Sequence, residues 1–181
     1  MSKRHWLVFD TETTGLTLPS EAALKDQPRI IEFAVALVDG EANAVLSEHS
    51  WLIYPECGLS DEITKITGLT DADLKGKPTF AQVLPEIVKV FLGVQGLVAH
   101  NLPFDRQMLV NELRHCGKEF AFPYPPNQMC TVSAYHHLKG RNMRLIELYE
   151  DVIGKPLAQT HRALDDVRAL VEILLKEEVL G

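Results

Sequence analysis

The chain has 181 residues, of which 46% are hydrophobic and 24% charged, which is typical of one globular domain with a continuous core and excludes an intrinsically disordered chain. The formal net charge of −7 disfavours a protein that grips long nucleic-acid duplexes, because phosphate contacts normally need Lys and Arg. The apolar run from Trp6 to Phe9 is too short for a signal-peptide core or a membrane span, and no later stretch approaches about 18 apolar residues.

The first predicted elements are strands. Residues 4–10 predict a buried strand, and the Thr-Glu-Thr-Thr-Gly segment after it is predicted to turn the chain out. A second strand is predicted over 30–39, and Asp39-Gly40 is a hairpin signal that leads into a return strand over roughly 44–54. Three consecutive strands with a tight turn predict an antiparallel unit.

Helical patterns dominate the rest of the chain. Strands are predicted at 96–100 and 129–132. Predicted helices lie at 60–68, 71–74, 80–92, 101–117, 145–153 and 163–175. Pro103 suits the first turn of its helix, with Asn101 as the cap. This order predicts a single α/β domain over residues 1–181, with a mixed sheet and helices packed on it.

Asp10 and Glu12 follow the first predicted strand. Phosphodiester hydrolysis by two metal ions needs several carboxylates that converge on ions roughly 3.5–4 Å apart. Side chains at positions 10 and 12 of an extended chain project to the same side, and strand ends of open sheets commonly bind ligands. A turn of solvated acids is the alternative. Gly15 counts against it, because glycine lets the backbone approach a ligand closely.

Asp105 lies in the first turn of a predicted helix. At 100° per residue it falls within about 40° of Leu109 and Cys116, inside the apolar stripe. Acids are favoured at helix N-termini by the dipole, which offers a purely structural explanation. A solvated cap would face outward, however, so the position inside the stripe favours a functional role.

Two adjacent acids in the last helix can be separated by their angles. Measured from Val167 in the core stripe, Asp165 lies about 160° away on the solvent face, whereas Asp166 lies about 100° away, at the stripe's edge. Asp166 is therefore predicted to reach a site beside the core. His161, five residues earlier, is a candidate base of near-neutral pKa. His100, at the end of its strand, is the other histidine that could face this site.

The three motifs together resemble the DEDDh exonuclease superfamily, also called the DnaQ-like or proofreading-exonuclease family. The matching segments are residues 9–16 (FDTETTGL), 100–105 (HNLPFD) and 161–166 (HRALDD), with further similarity at residues 29–32 (RIIE) and 66–70 (ITGLT). Their order and spacing agree over nearly the whole chain. One departure is Thr67, where many relatives have His, which puts one nucleotide-positioning contact in doubt.

The resemblance implies an RNase H-like fold, with a central mixed sheet of five strands flanked by helices, and a 3′→5′ exonuclease that uses two Mg²⁺ (or Mn²⁺) ions. It implies that Asp10 bridges both ions, that Glu12 and Asp166 hold the ion carrying the attacking water, and that Asp105 acts through bound water. His161 would deprotonate the attacking water, and the product would be a nucleoside 5′-monophosphate.

The resemblance also implies how the 3′-terminal nucleotide binds. Thr13, Thr14 and Leu16 are expected to hold it through backbone and apolar contacts. Ile66 and Phe104 are expected to be apolar walls of the pocket, although a role in the core is an equally good interpretation of both. Glu32, inside an apolar strand, is expected to be hydrogen-bonded and receives no catalytic role.

The expected substrate is a single-stranded or frayed 3′ end, with DNA favoured over RNA because the first motif resembles proofreading enzymes. An RNA 3′-end trimming exoribonuclease with the same chemistry, and a non-catalytic nucleic-acid-binding module, are the alternatives. A basic cluster at Lys139, Arg141 and Arg144 could contact the nucleic-acid backbone, although a solvated loop is the preferred interpretation.

The chain ends soon after its last predicted helix, so no fused polymerase or polymerase-binding tail is expected. Two arrangements stay open: an enzyme that acts alone, or a separately encoded subunit with a polymerase or repair partner. Cys57, Cys116 and Cys130 lack any C-x-x-C spacing. They are interpreted as buried thiols of a protein in a reducing compartment, which predicts a cytoplasmic location. No association with a membrane is expected.

Overall fold

A five-stranded sheet organises the computed structural model, which describes residues 4–158 and 160–181. The strands are β1 (His5–Thr13), β2 (Ile30–Asp39), β3 (Ala44–Leu52), β4 (Gly96–Ala99) and β5 (Asn127–Cys130). Their order is β3-β2-β1-β4-β5. β1, β2 and β3 pair antiparallel, whereas β4 and β5 run parallel to β1. The predicted mixed five-stranded sheet is confirmed.

Helices cover both faces of this sheet. They are α1 (Asp61–Thr67), α2 (Asp71–Leu74), α3 (Phe80–Phe91), α4 (Leu102–His115), α5 (Thr131–Ala134), α6 (Leu145–Ile153) and α7 (Ala163–Lys176). One core lies between the sheet and α3–α4, and a second lies between the sheet and α6–α7. None of the helices in the described part of the chain combines the length and the apolar character that a bilayer crossing requires.

The alternation of side chains along β1 assigns its residues to the two cores. Leu7 and Phe9 are buried against α3 and α4, whereas Val8 is buried against α6 and α7. Asp10 and Glu12 continue the Val8 side, because the side-chain period of a strand is two. The two acids therefore project towards α7.

Several predicted boundaries are wrong. β1 continues through Thr13, because residues 11–13 pair with the start of β2, so Glu12 lies in the strand and not in a turn. The strand predicted over 129–132 lies instead at Asn127–Cys130, where it pairs with β4, and Thr131 already begins α5. The expectation of buried thiols is wrong for Cys57, which is exposed.

A buried ion pair fixes α4 to the beginning of β2. Glu112 is 1% exposed, and its Oε1 accepts hydrogen bonds from Arg29 Nε (2.9 Å) and from the backbone N–H of Ile30 (3.0 Å). Arg29 Nη2 donates to the other carboxylate oxygen at 3.1 Å. The backbone N–H and C=O of Arg29 in turn bond to Thr14, so this pair also supports the segment after β1.

Replacing Glu112 by Gln should destabilise the fold, because it leaves the Arg29 guanidinium without its buried counter-charge. We expect the free energy of unfolding to fall by about 3 kcal/mol, measured by urea denaturation. Glu119→Gln is the matched control on the neighbouring segment, since it breaks only the exposed pair with Arg114 and should cost less than about 1 kcal/mol. Equal losses in the two variants would contradict a special role for the buried pair.

Candidate active site

Three carboxylates from distant parts of the chain meet at one point. Asp10 and Glu12 reach it from β1 and Asp166 from the first turn of α7, and one ligand oxygen from each lies within 4.8 Å of the others. These residues line a cleft of about 340 Å³ together with Asp105 and His161. The structure thus brings together all five residues predicted to be catalytic.

Asp105 enters from the opposite face of the sheet, on α4. Its side chain is 3% exposed, and its Oδ1 accepts hydrogen bonds from the backbone N–H (3.1 Å) and the hydroxyl (2.8 Å) of Thr11. Thr11 projects towards α4 because it alternates with Asp10 and Glu12 on β1. Asp105 therefore stands beside the three converging carboxylates, anchored to the strand that carries two of them.

The predicted difference between Asp165 and Asp166 is confirmed in their burial. Asp166 is 9% exposed and lines the cleft. The side chain of Asp165 is 45% exposed, and its Oδ2 accepts a hydrogen bond from the Thr160 hydroxyl at 2.6 Å. A rotation of 100° along α7 separates the two carboxylates, so only Asp166 reaches the acidic cleft.

The two histidines of the cleft differ in how they are held. His161 is exposed and has a φ of 51°, a left-handed conformation that non-glycine residues rarely adopt and that often marks functional positions. His100 has both ring nitrogens engaged, with the Thr131 hydroxyl and the Met143 carbonyl, each at 3.0 Å. Burial also lowers the pKa of His100. His100 is therefore a structural residue of the cleft wall.

The carboxylates raise one another's pKa. Burial raises the pKa of Asp10 well above its ordinary value, and the charges of Asp105, Asp166 and Glu12 raise it further. Burial and then Asp166 raise the pKa of Glu12 to about 8, against a lowering effect of Arg162. Burial raises the pKa of Asp105 to about 7, although its hydrogen bonds from Thr11 favour the charged form. The folded protein therefore holds protons on Asp10, Glu12 and Asp105 at pH values where the same acids are ionised in the unfolded chain.

The donor set fits a hard divalent cation. Mg²⁺ and Mn²⁺ prefer carboxylate oxygens, and Asp10, Glu12 and Asp166 offer three at mutual distances that one ion can span. A bound cation would also offset the repulsion that contributes to the raised pKa values of Asp10 and Glu12, because it favours the deprotonated forms.

Three of the five residues expected to bind a nucleotide line a described cleft. Phe104 lines the acidic cleft, whereas Thr14 and Leu16 line a second cleft of about 430 Å³. Leu16 is 80% exposed and Ile66 is 44% exposed, so the core interpretation is wrong for Ile66. The Thr13 hydroxyl donates to the backbone carbonyl of Gly15 at 2.8 Å, so its proton is not available to a ligand.

Thr67 does not replace the histidine of many relatives as a ligand contact. It is 3% exposed at the end of α1. Its hydroxyl donates to the Ile63 carbonyl at 2.9 Å and accepts from the Leu69 backbone N–H at 3.2 Å. The hydroxyl is therefore engaged both as a donor and as an acceptor at the C-terminal end of α1.

Arg144, which was expected to lie in a solvated loop, lies at the acidic cleft. It lines the acidic cleft with its side chain 80% exposed. Its Nε lies 3.7 Å from Glu147, a carboxylate that Arg141 contacts at 2.6 Å, and Lys139 pairs with Asp151 at 2.7 Å. Of the predicted basic cluster, Arg144 alone lines the acidic cleft. Its place directly before a predicted helix was the sequence feature that set it apart from the other two.

Comparisons with known proteins agree with this geometry. The RNase_T family profile, described as an exonuclease family, matches residues 7–174. The chain is 33% identical to the PolC-type DNA polymerase III of Clostridium perfringens (strain 13 / Type A), over 96% of this chain but only 12% of that protein. It is 30% identical to the DNA polymerase III subunit epsilon of Treponema pallidum (strain Nichols), over 91% of this chain and 72% of that protein.

A solved structure has the same fold. The nuclease domain of 3'hExo, described as a DEDDh family member and bound to rAMP, superposes with a TM-score of 0.77 at 19% identity. The superposition covers 96% of this chain and 90% of that domain. The predicted RNase H-like fold is thereby confirmed.

The acidic cleft predicts how stability depends on pH. The raised pKa values of Glu12 and Asp105 mean that the metal-free folded protein holds protons which the unfolded chain has already released. Its stability should therefore fall as pH rises from about 4.5 to about 8. Millimolar Mg²⁺ should raise the melting temperature, and by more at pH 8 than at pH 5.5.

Thermal unfolding in EDTA and in Mg²⁺ measures both effects. Glu12→Gln is the informative control, because it removes one of the titrating carboxylates and should flatten the pH dependence. A melting temperature that rises from pH 5 to pH 8 without metal would contradict the electrostatic description of the cleft.

Proposed function

The chain belongs to the RNase_T family of exonucleases and is of the DEDDh type, and from this premise we propose that it is a 3′→5′ exonuclease of single-stranded or frayed DNA ends. It would release nucleoside 5′-monophosphates. The observation that carries the proposal is the meeting of Asp10, Glu12 and Asp166 within 4.8 Å. Residues 1–181 would act as one exonuclease domain.

Asp10, Glu12 and Asp166 would hold two divalent ions, Mg²⁺ or Mn²⁺. When bound, these ions would supply positive charge at the scissile phosphate and at the leaving oxygen. Asp105, which Thr11 anchors on the other side of β1, would act on this site indirectly, through bound water.

His161 would act as the general base. Its exposed imidazole at the cleft would accept a proton from the water that attacks the terminal phosphorus. The bond from phosphorus to the 3′ oxygen of the preceding nucleotide then breaks, and that oxygen leaves as the new 3′ hydroxyl after protonation.

Binding of the 3′ end would use surfaces next to the acids. Phe104, Leu16 and Ile66 offer apolar area to the terminal nucleotide, and the backbone of Thr13 and Thr14 offers polar groups. Leu16 and Ile66 are exposed to 80% and 44%, so their apolar surface is accessible to a ligand.

DNA is the favoured substrate because the relatives at 30–33% identity are named as DNA polymerase III proteins. The relatives also support a polymerase as the partner class, either separately encoded or on the same polypeptide. RNA is tested as the alternative substrate, because a structure with 19% identity to this chain is described as recognising a histone mRNA stem-loop.

The decisive assay uses 3′-labelled and 5′-labelled DNA and RNA oligonucleotides with and without Mg²⁺. We expect stepwise shortening from the 3′ end, faster on DNA, with loss of activity in EDTA. Asp10→Ala should abolish product release, and His161→Ala should lower kcat roughly 10²–10⁴-fold. Asp165→Asn is the matched control and should retain activity, because Asp165 faces away from the cleft.

Three results would contradict specific parts of the proposal. Unchanged activity in Asp10→Ala would exclude this cleft as the active site. Label released first from the 5′ end would overturn the polarity. Faster degradation of RNA than of the matched DNA would assign the chain to RNA trimming.

Arg144 should contribute to substrate binding and not to the chemical step. Arg144→Gln should raise the KM for a single-stranded oligonucleotide several-fold with little change in kcat, and should reduce the slope of log affinity against log salt by about 0.7. Arg141→Gln is the control, since Arg141 is paired with Glu147 outside the cleft. An unchanged salt dependence in Arg144→Gln would exclude a phosphate contact.

A further inference from the structure

Residues 29–32 form a motif to which the chemistry assigns no role. Glu32, its last member, is 1% exposed within β2. Arg162 grips it from the segment before α7, with Nε donating to Oε2 (2.8 Å) and Nη2 to Oε1 (3.1 Å). This two-point contact is the geometry that best satisfies a guanidinium and a carboxylate.

Two further donors complete the surroundings of Glu32. The backbone N–H of Ala163, the first residue of α7, donates to Oε2 at 3.3 Å, and the Ser50 hydroxyl of β3 donates to Oε1 at 2.9 Å. Glu32 therefore joins α7 to the middle of the sheet. His161 and Asp166 both belong to the segment that this contact holds.

Glu32 also stands directly opposite Glu12. The two are paired residues in the antiparallel β1–β2 register, so their side chains share one face with Cβ atoms roughly 4.5–5.5 Å apart. Like charges in this arrangement repel each other. The positive charge of Arg162 reaches both: it bonds Glu32, and it also lowers the pKa of Glu12.

Arg162 thus has two carboxylates within electrostatic reach and pairs with one of them. Its described ion pair is with Glu32, at 2.8 Å, and no ion pair within the described part of the chain joins it to Glu12. If Arg162 paired with Glu12, it would occupy an oxygen that the converging acids need for a cation.

We propose that Glu32 is a positioning residue that holds the Arg162 guanidinium away from Glu12 and so keeps Glu12 available to a divalent cation. This inference rests on the proposed metal-dependent function. It adds that the cation site depends on a buried carboxylate that is not itself a ligand.

The test is Mn²⁺ binding without substrate, followed by electron paramagnetic resonance. Glu32→Gln should weaken Mn²⁺ binding about tenfold, the scale on which residues behind metal ligands act, because the released Arg162 turns to Glu12. Adding Arg162→Gln to Glu32→Gln should return the affinity to within about threefold of the wild type. A merely structural role of Glu32 would give the opposite result, since removing both partners would weaken the segment before α7 further.

Arg162→Gln alone removes the competing cation and should keep Mn²⁺ affinity within about threefold of the wild type. A tenfold loss of affinity in this variant would overturn the inference even if Glu32→Gln does not fold, as judged by circular dichroism and thermal unfolding. In activity assays, Glu32→Gln should lower kcat at limiting Mn²⁺ while the KM for the oligonucleotide stays within about twofold, and excess Mn²⁺ should restore kcat.

Glu48→Gln is the matched control. It breaks the Glu48–Arg168 contact, another ion pair between α7 and the sheet, and should leave Mn²⁺ binding unchanged. The inference is overturned if Glu32→Gln binds Mn²⁺ like the wild type, if the double variant stays as weak as Glu32→Gln, or if Arg162→Gln loses affinity tenfold. A wild-type protein that binds no Mn²⁺, or that binds it equally well after Asp10→Asn, would instead refute the metal site of the proposed function.

Discussion

Repulsion between carboxylates at the end of β1 is the interaction around which this structure is arranged. Burial raises the pKa values of Asp10, Glu12 and Asp105, and the charges of neighbouring carboxylates raise those of Asp10 and Glu12 further, so the cluster opposes folding wherever its members are ionised. Such a cluster persists only if the surrounding structure is stable enough to hold it. Here the stability comes from the two apolar cores on either side of the sheet and from the long β1–β2 ladder.

Two arginine–glutamate pairs, each with a buried carboxylate, secure the helices that carry the site. On one face Arg29 binds Glu112 of α4, and on the other Glu32 binds Arg162 beside α7. Both contacts start from the same four-residue segment, whose ends project to opposite faces of the sheet. These contacts hold α4, which carries Asp105, and α7, which carries Asp166, in fixed positions relative to β2. β2 pairs directly with β1, the strand of Asp10 and Glu12.

The relatives show this domain in different polypeptide contexts. The match covers 72% of an epsilon subunit but only 12% of a PolC-type polymerase. The apolar cores and both ion pairs lie within residues 6–180, so these supports of the acidic cleft come from within this chain.

The sequence by itself determined the features that depend on local periodicity and on motif chemistry. β2 and α6 lie where the sequence predicted them, and the short helices α1 and α2 lie within their predicted ranges of 60–68 and 71–74. Angles along α7 separated Asp166 from Asp165. Tertiary contacts alone decided the rest. β1 extends to Thr13 because it pairs with β2, and both nitrogens of His100 are engaged by residues 31 and 43 positions away. Arg162 pairs with Glu32, which lies 130 residues away in the sequence. A contact over that separation produces no hydrophobic periodicity in either segment, so the sequence pattern could not predict it.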